Sequence, residues 1–125
     1  MQGRAQILVA EDDADVRRML EQLLGTLGDV TACMDGQAAL DAMQGGLRPD
    51  VLVTDVMMPR MDGVALARAM KNVPHLHNVP VVMLTARTGP RDVIAGINAG
   101  ARFYVTKPFK TDELLNKVKK ALGPR

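Results

Sequence analysis

Five times along its 125 residues the chain passes from a short apolar run to an amphipathic stretch, and this alternation restricts the fold more than any other feature. Gln6-Ile7-Leu8-Val9-Ala10 reads as a strand. Val16, Met19, Leu20, Leu23, Leu24 and Leu27 then recur at helical spacing, with Asp13 as N-cap and Gly28 as the expected stop. Residues 29–33 form a weaker, more polar strand, expected at a sheet edge. Residues 36–44 form an Ala-rich helix that stops at Gly45-Gly46 and Pro49. Val51-Leu52-Val53 is the third strand, and Asp62 caps a third helix with Leu66, Ala69, Met70 and Val73 on its apolar face. A fourth strand over 79–84, a fourth helix over 90–98 ending at Gly100, and the strand Phe103-Tyr104-Val105 follow. The last helix spans 111–122, with Leu114, Leu115, Val118 and Leu122 inward. Strands and helices alternating at this spacing predict βαβ units and a parallel sheet. The continuous apolar strands suit a sheet covered on both faces.

The length predicts one domain, 1–125, with no linker, no repeat and no output domain within it after Leu122, either standing alone or cut from a longer chain. A net charge of +2 is too small to argue for nucleic-acid or membrane binding, and neither is expected as a direct ligand. The single cysteine, Cys33, excludes an internal disulfide and reads as a buried thiol in a reducing compartment. No apolar run reaches the ~18 residues of a membrane span. Met1 to Ala5 lack a signal-peptide core, so a cytoplasmic protein is expected.

Chemistry concentrates where strands end. Glu11-Asp12-Asp13 follows the first strand, Asp55 the third, Thr85 the fourth and Lys107 the fifth. In an open α/β sheet, sites form beyond the carboxyl ends of the strands, where strand order reverses, so these distant residues can converge. Glu11, Asp12 and Asp55 are hard oxygen ligands suited to Mg²⁺, with Asp12 and Asp55 direct and Glu11 acting through water. The run from Glu11 to Asp15 also suits the acidic first turn of a helix, the reading that Asp13 and Asp15 retain. Asp55, ionised at neutral pH, is a competent nucleophile toward phosphorus. Lys107 offers a point charge to a phosphate oxygen or to Asp55, and Thr85 offers a hydroxyl. The aromatics Phe103, Tyr104 and Phe109 cluster around Lys107; Phe109 reads as core, and Tyr104 as able to swing between buried and exposed positions. His75 and His77 lack further ligands for a zinc set and read as exposed loop residues. No GxxxxGK[ST], GxGxxG or GxSxG motif is present.

Ile-Leu-Val-Ala-Glu-Asp-Asp, Asp-Val-Met-Met-Pro-Arg-Met-Asp-Gly, Val-Met-Leu-Thr-Ala and Tyr-Val-Thr-Lys-Pro-Phe together resemble the receiver domain of two-component response regulators, the chemotaxis-regulator-like superfamily. The resemblance runs in order from about Ile7 to Leu122. It implies a single doubly wound (βα)5 domain, flavodoxin-like, with parallel strands in the order 2-1-3-4-5 and helices on both faces. It implies Asp55 as the acceptor of a phosphoryl group from a histidine kinase or phosphotransfer protein. Mg²⁺, or Mn²⁺ in its place, would bind Glu11, Asp12, Asp55 and the Met57 backbone carbonyl. Thr85 and Lys107 would contact phosphate, and Thr85 with Tyr104 would switch the face of the fourth helix, fifth strand and last helix. That face would control a downstream protein or an output domain, with phosphorylation-dependent dimerisation as one form of output. A cis Lys107-Pro108 bond is implied as well.

Two positions depart from the family pattern. Glu11 stands where aspartate is commoner, and its extra methylene bears on metal affinity. Met57 and Arg87 flank the expected path of attacking water, where their bulk would slow hydrolysis of the acyl phosphate. Gly96, inside the fourth helix, would make that helix easier to move. A Mg²⁺-dependent phosphohydrolase would place a general acid two residues after its nucleophile, and Met57 cannot serve. A binding module indifferent to phosphate remains the third class; Asp12, Asp55, Thr85 and Lys107 together argue against it.

Overall fold

The computed structural model describes residues 4–86, 94 and 97–124. Its elements run β1 (Ala5–Ala10), α1 (Ala14–Leu24), β2 (Gly28–Cys33), α2 (Gly36–Gln44), β3 (Val51–Asp55), α3 (Gly63–Lys71), β4 (Val81–Thr85), β5 (Phe103–Thr106) and a C-terminal helix (Thr111–Leu122). The five strands are parallel and ordered β2-β1-β3-β4-β5, the flavodoxin-like order. The predicted fourth helix, with Gly96, and Arg87 lie largely or wholly outside the described residues; Ile94 and residues 97–99 are helical.

Alternation along each strand divides the core. Ile7, Val9, Val51, Val53, Val82, Leu84 and Val105 face α1 and the C-terminal helix, meeting Leu20, Leu24, Leu114 and Val118. Leu8, Ala10, Leu52 and Met83 face the other way, onto Ala39 and Met43 of α2 and Leu66 and Met70 of α3. Burying a side chain such as Leu20 or Leu66 contributes roughly 1.5–3 kcal/mol, so each helix is held by its apolar stripe rather than by propensity alone.

The aspartates before three helices act as caps. Asp13 accepts from the backbone N–H groups of Asp15 and Val16, Asp35 from that of Ala38, and Asp62 from that of Ala65. One boundary differs from the sequence expectation. α1 ends at Leu24 with Gly25 as its C-cap, and the Thr26 hydroxyl donates to the Leu23 carbonyl at 2.7 Å. Gly28 instead opens β2 opposite Ala5, where a Cβ would collide with the Ala5 carbonyl. Close strand approach, not helix termination, fixes that glycine. Cys33 is half-buried rather than fully buried. Among the described residues no helix is long and apolar enough to cross a membrane.

Candidate functional site

The strand order reverses at β1, which pairs with β2 on one side and β3 on the other. Ala10 lies in register with Thr54, so the residues that follow, Glu11 and Asp55, emerge side by side. Glu11 is 0% exposed and Asp55 9%, while Asp12 faces solvent. One carboxylate oxygen from each of Glu11, Asp12 and Asp55 lies within 4.8 Å of the others. Lys107, from beyond β5, donates through Nζ to Glu11 Oε1 at 2.9 Å and to Asp55 Oδ2 at 3.0 Å. The Lys107 backbone N–H donates to the Thr85 carbonyl at 2.8 Å, which ties the end of β5 to the end of β4. Glu11, Asp12, Asp55, Thr85 and Lys107 therefore lie together at the carboxyl end of the sheet. The Lys107-Pro108 bond is cis, as the resemblance implies.

The electrostatics are those of a site short of positive charge. Burial pushes the Glu11 carboxyl up to about 7, against the Lys107 hydrogen bond and the Asp13 N–H, which favour its ionised form. Burial also works against the charge of Lys107, but its hydrogen bonds to Glu11 and Asp55 outweigh it and hold the ammonium above the ordinary lysine range. One ammonium faces three carboxylates. Hard oxygen donors in such an excess fit a small divalent cation, which needs one or two carboxylates and fills its remaining positions with water or phosphate oxygens.

Local structure places Asp55 with little freedom. Thr54 is fully buried and its hydroxyl donates to the Asp55 carbonyl at 2.9 Å. The chain then folds back, with the Gly63 N–H donating to the Val56 carbonyl at 2.9 Å. A Cβ on Gly63 would collide with the Asp55 carbonyl. The Asp-Gly of this motif thus has two separate jobs: Asp62 caps α3, and Gly63 lets α3 start against the acceptor strand.

Tyr104 is half-buried on the α2/α3 side of the sheet, while Phe103 and Phe109 pack on the α1 side. The three aromatics do not form one cluster. Met57 is 53% exposed, beside the acidic group rather than in the core. His75 and His77 are exposed around a buried Leu76, as expected of a loop. Lys119 and Lys120 sit in the last turn of the C-terminal helix, and Lys117 lies 5.4 Å over the Phe103 ring. An open cleft of about 250 Å³, lined by Val16, Met19, Lys107, Pro108 and Phe109, adjoins the site.

Two further residues touch the site's framework without standing in any of the motifs' chemical positions. Arg17 of α1 donates through Nη1 to the Glu11 carbonyl at 2.9 Å, bracing the turn that carries the acidic pair. Asp35, only 2% exposed, binds Arg60 of the loop after Asp55. A helical offset from Asp13 hints at Arg17, but nothing local pairs residues 35 and 60.

The model of the response regulator receiver domain matches residues 7–119. The DNA-binding response regulator MtrA of Mycobacterium tuberculosis is 42% identical over 120 residues, covering 95% of this chain and 51% of MtrA. This chain spans about half the length of the curated relatives it matches. The chemotaxis response regulator CheY4 of Vibrio cholerae superposes with a TM-score of 0.88 at 31% identity, covering 95% of this chain and 99% of CheY4. The receiver domain of the sensor histidine kinase PA1611 from Pseudomonas aeruginosa, solved with a magnesium ion coordinated in its active site cleft, gives 0.88 at 29% identity and covers 98% of this chain and all of its own. With a flavodoxin-like strand order and a family match over nearly its whole length, this chain belongs to the response regulator receiver domains, the phosphoacceptor signalling modules of two-component systems.

Proposed function

We propose that this chain takes a phosphoryl group onto Asp55 and that the charge so added changes its affinity for a partner. The observation that carries this reading is the placement of Lys107, whose ammonium joins the Asp55 and Glu11 carboxylates at the edge of a three-carboxylate group. Glu11, Asp12, Asp55 and the Met57 carbonyl would hold Mg²⁺, or Mn²⁺. The burial of Glu11 and its bonds to Lys107 and Asp13 suit an action through water, whereas Asp12 is exposed and free to reach the ion. When bound, the cation supplies positive charge against the charge that develops on the phosphoryl oxygens.

An ionised Asp55 oxygen attacks phosphorus while the bond to the donor, a histidine imidazole of a kinase or phosphotransfer protein, breaks. The leaving nitrogen recovers its electron pair. Lys107 balances charge on the transferred group, and the Thr85 hydroxyl donates to one of its oxygens. Thr85 and Lys107 already share a backbone hydrogen bond, so a shift of one is felt by the other. Tyr104, in register with Met83 and so two residues before the Thr85 level of β4, responds by turning inward, and the face of the fourth helix, β5 and the C-terminal helix changes its fit to a downstream protein or an output domain. Dimerisation on phosphorylation is one form this output takes. The module modifies itself at Asp55 rather than turning over an external substrate, because exposed Met57 offers no general acid. We place it in the cytoplasm, where kinase and donor would meet it, with neither nucleic acid nor membrane as its direct ligand.

Incubation with Mg²⁺ and a small acyl phosphate, followed by intact mass, tests the reading. One added phosphoryl group is expected in the parent chain and none in Asp55→Asn. An adduct that persists in Asp55→Asn, or that never forms with any donor, overturns it.

A further inference from the structure

Arg60 stands in the left-handed region with φ of 67°, the one non-glycine residue among the described residues to do so. A long side chain gains nothing there that glycine or asparagine would not give more cheaply, so some contact must hold it. That contact is Asp35. Arg60 Nε donates to Asp35 Oδ2 at 2.8 Å, and Nη2 meets the same oxygen. The other oxygen, Oδ1, accepts from the Ala38 N–H at 2.8 Å and caps α2. The aspartate is buried, and its partner guanidinium lies over it from the solvent side. One residue along each chain segment, the Gly36 N–H donates to the Met61 carbonyl at 3.1 Å, an approach that a side chain at Gly36 would block. The loop of residues 56–62 is therefore fastened to the N-terminus of α2 by one ion pair and one backbone bond. Its other end is fastened by Gly63 N–H to the Val56 carbonyl. Between these ties, Met57 and Pro59 are exposed, and only Met58 packs part-buried against the core, so the loop has little apolar burial of its own.

We propose that Arg60 is a positioning residue for the cation site: its ion pair with Asp35 fixes the loop that carries the Met57 carbonyl, so that the backbone is ordered before Mg²⁺ arrives. This rests on the reading of Glu11, Asp12, Asp55 and Met57 as the Mg²⁺ ligands. Residues outside the ligand set that orient it commonly change metal affinity by about 10–100-fold when removed. The loop is a peripheral support here, so the lower end of that range is expected.

The test is Mg²⁺ titration of the unphosphorylated full chain by calorimetry, for the parent, Arg60→Gly, Asp35→Asn and the double variant. Glycine keeps the backbone conformation at position 60 without the guanidinium. Asparagine keeps the α2 cap without the charge. Both single variants should weaken Mg²⁺ binding on the order of tenfold. The double variant should be no weaker than either, because they break the same contact. Arg60→Lys, with one donor point in place of a fork, should recover part of the affinity. Circular dichroism should show all variants folded. Parent-like affinity in both single variants overturns the proposal while leaving the ligand set intact. Additive losses in the double variant overturn it too, since the two residues would then act separately. A parent chain that binds no Mg²⁺ overturns the ligand set and the proposal together.

Discussion

Glu11 and Asp35 are the most deeply buried carboxyl groups among the described residues, and they behave oppositely. Glu11, at the tip of β1, is pushed up to about 7 by burial. Asp35, at the start of α2, is held below its ordinary value, first by the Ala38 N–H and then, against the effect of burial, by Arg60. The difference lies in how completely each charge is answered. Asp35 has an amide on one oxygen and a guanidinium of its own on the other. Glu11 shares a single ammonium with Asp55 and has one longer bond, 3.2 Å, from the Asp13 N–H. A satisfied buried charge is structure. One that shares its counter-charge and is grouped with two more carboxylates has the chemistry to hold a cation.

The largest expected contrast is chemical. Asp55→Asn should lose the phosphoryl adduct completely, whereas Asp35→Asn should still acquire it when Mg²⁺ is saturating; intact mass reads both. An adduct lost equally in the two variants would break the comparison.

Stability separates the regions next. Lys107→Ala leaves Glu11 and Asp55 without their shared cation and should destabilise the metal-free protein by about 3 kcal/mol in urea unfolding. Asp35→Ala removes a helix cap and the partner of Arg60, for about 2 kcal/mol. Mg²⁺ should restore part of the first loss and little of the second. Equal rescue of both would show that the two carboxyl regions are not distinct in the way their partners suggest.

Hydrolysis sharpens the picture of the exposed rim. Met57→Asn replaces an apolar side chain beside Asp55 with one that can orient water, and should speed loss of the acyl phosphate by roughly tenfold. Equal lifetimes for parent and variant would remove Met57 as a barrier to water.

The smallest effect is the pH dependence of the metal-free fold, and its sign is opposite for the two groups. The Glu11 pKa is raised on folding, so its contribution is fully present below about 4.5 and is lost as pH rises toward about 7. The Asp35 pKa is lowered, so its contribution is present above 3.8 and is lost as pH falls through the folded value. Glu11→Gln should flatten the stability curve on the side approaching neutrality, and Asp35→Asn on the acid side. Urea unfolding across pH measures both slopes, and a reversal of either sign would contradict the corresponding environment.

Much of this is legible in the sequence alone. The apolar runs located the strands, because parallel strands buried on both faces need continuous apolar sequence. Asp13 and Asp62 were legible as caps because capping is a local act of one side chain on the next turn. The end of α1 was not, because whether Gly25 or Gly28 stops the helix depends on Ala5, far away in sequence but adjacent in the sheet. The three aromatics near Lys107 look like one group in sequence, yet the pleat sends Tyr104 to the opposite face from Phe103 and Phe109.

The sequence by itself determined the parallel α/β architecture and the inventory of strand-end chemistry: acids after β1 and at the end of β3, a hydroxyl at the end of β4, an amine after β5. These depend on periodicity and residue type, which are local properties. Tertiary structure alone decided that Lys107 reaches both Glu11 and Asp55, that Arg17 braces the acidic turn, and that Asp35 belongs to Arg60. Each of these is a contact between segments brought together only by sheet order and crossover. Burial and the partner across the fold, not residue type, set whether a carboxyl is a fixed support or an open ligand.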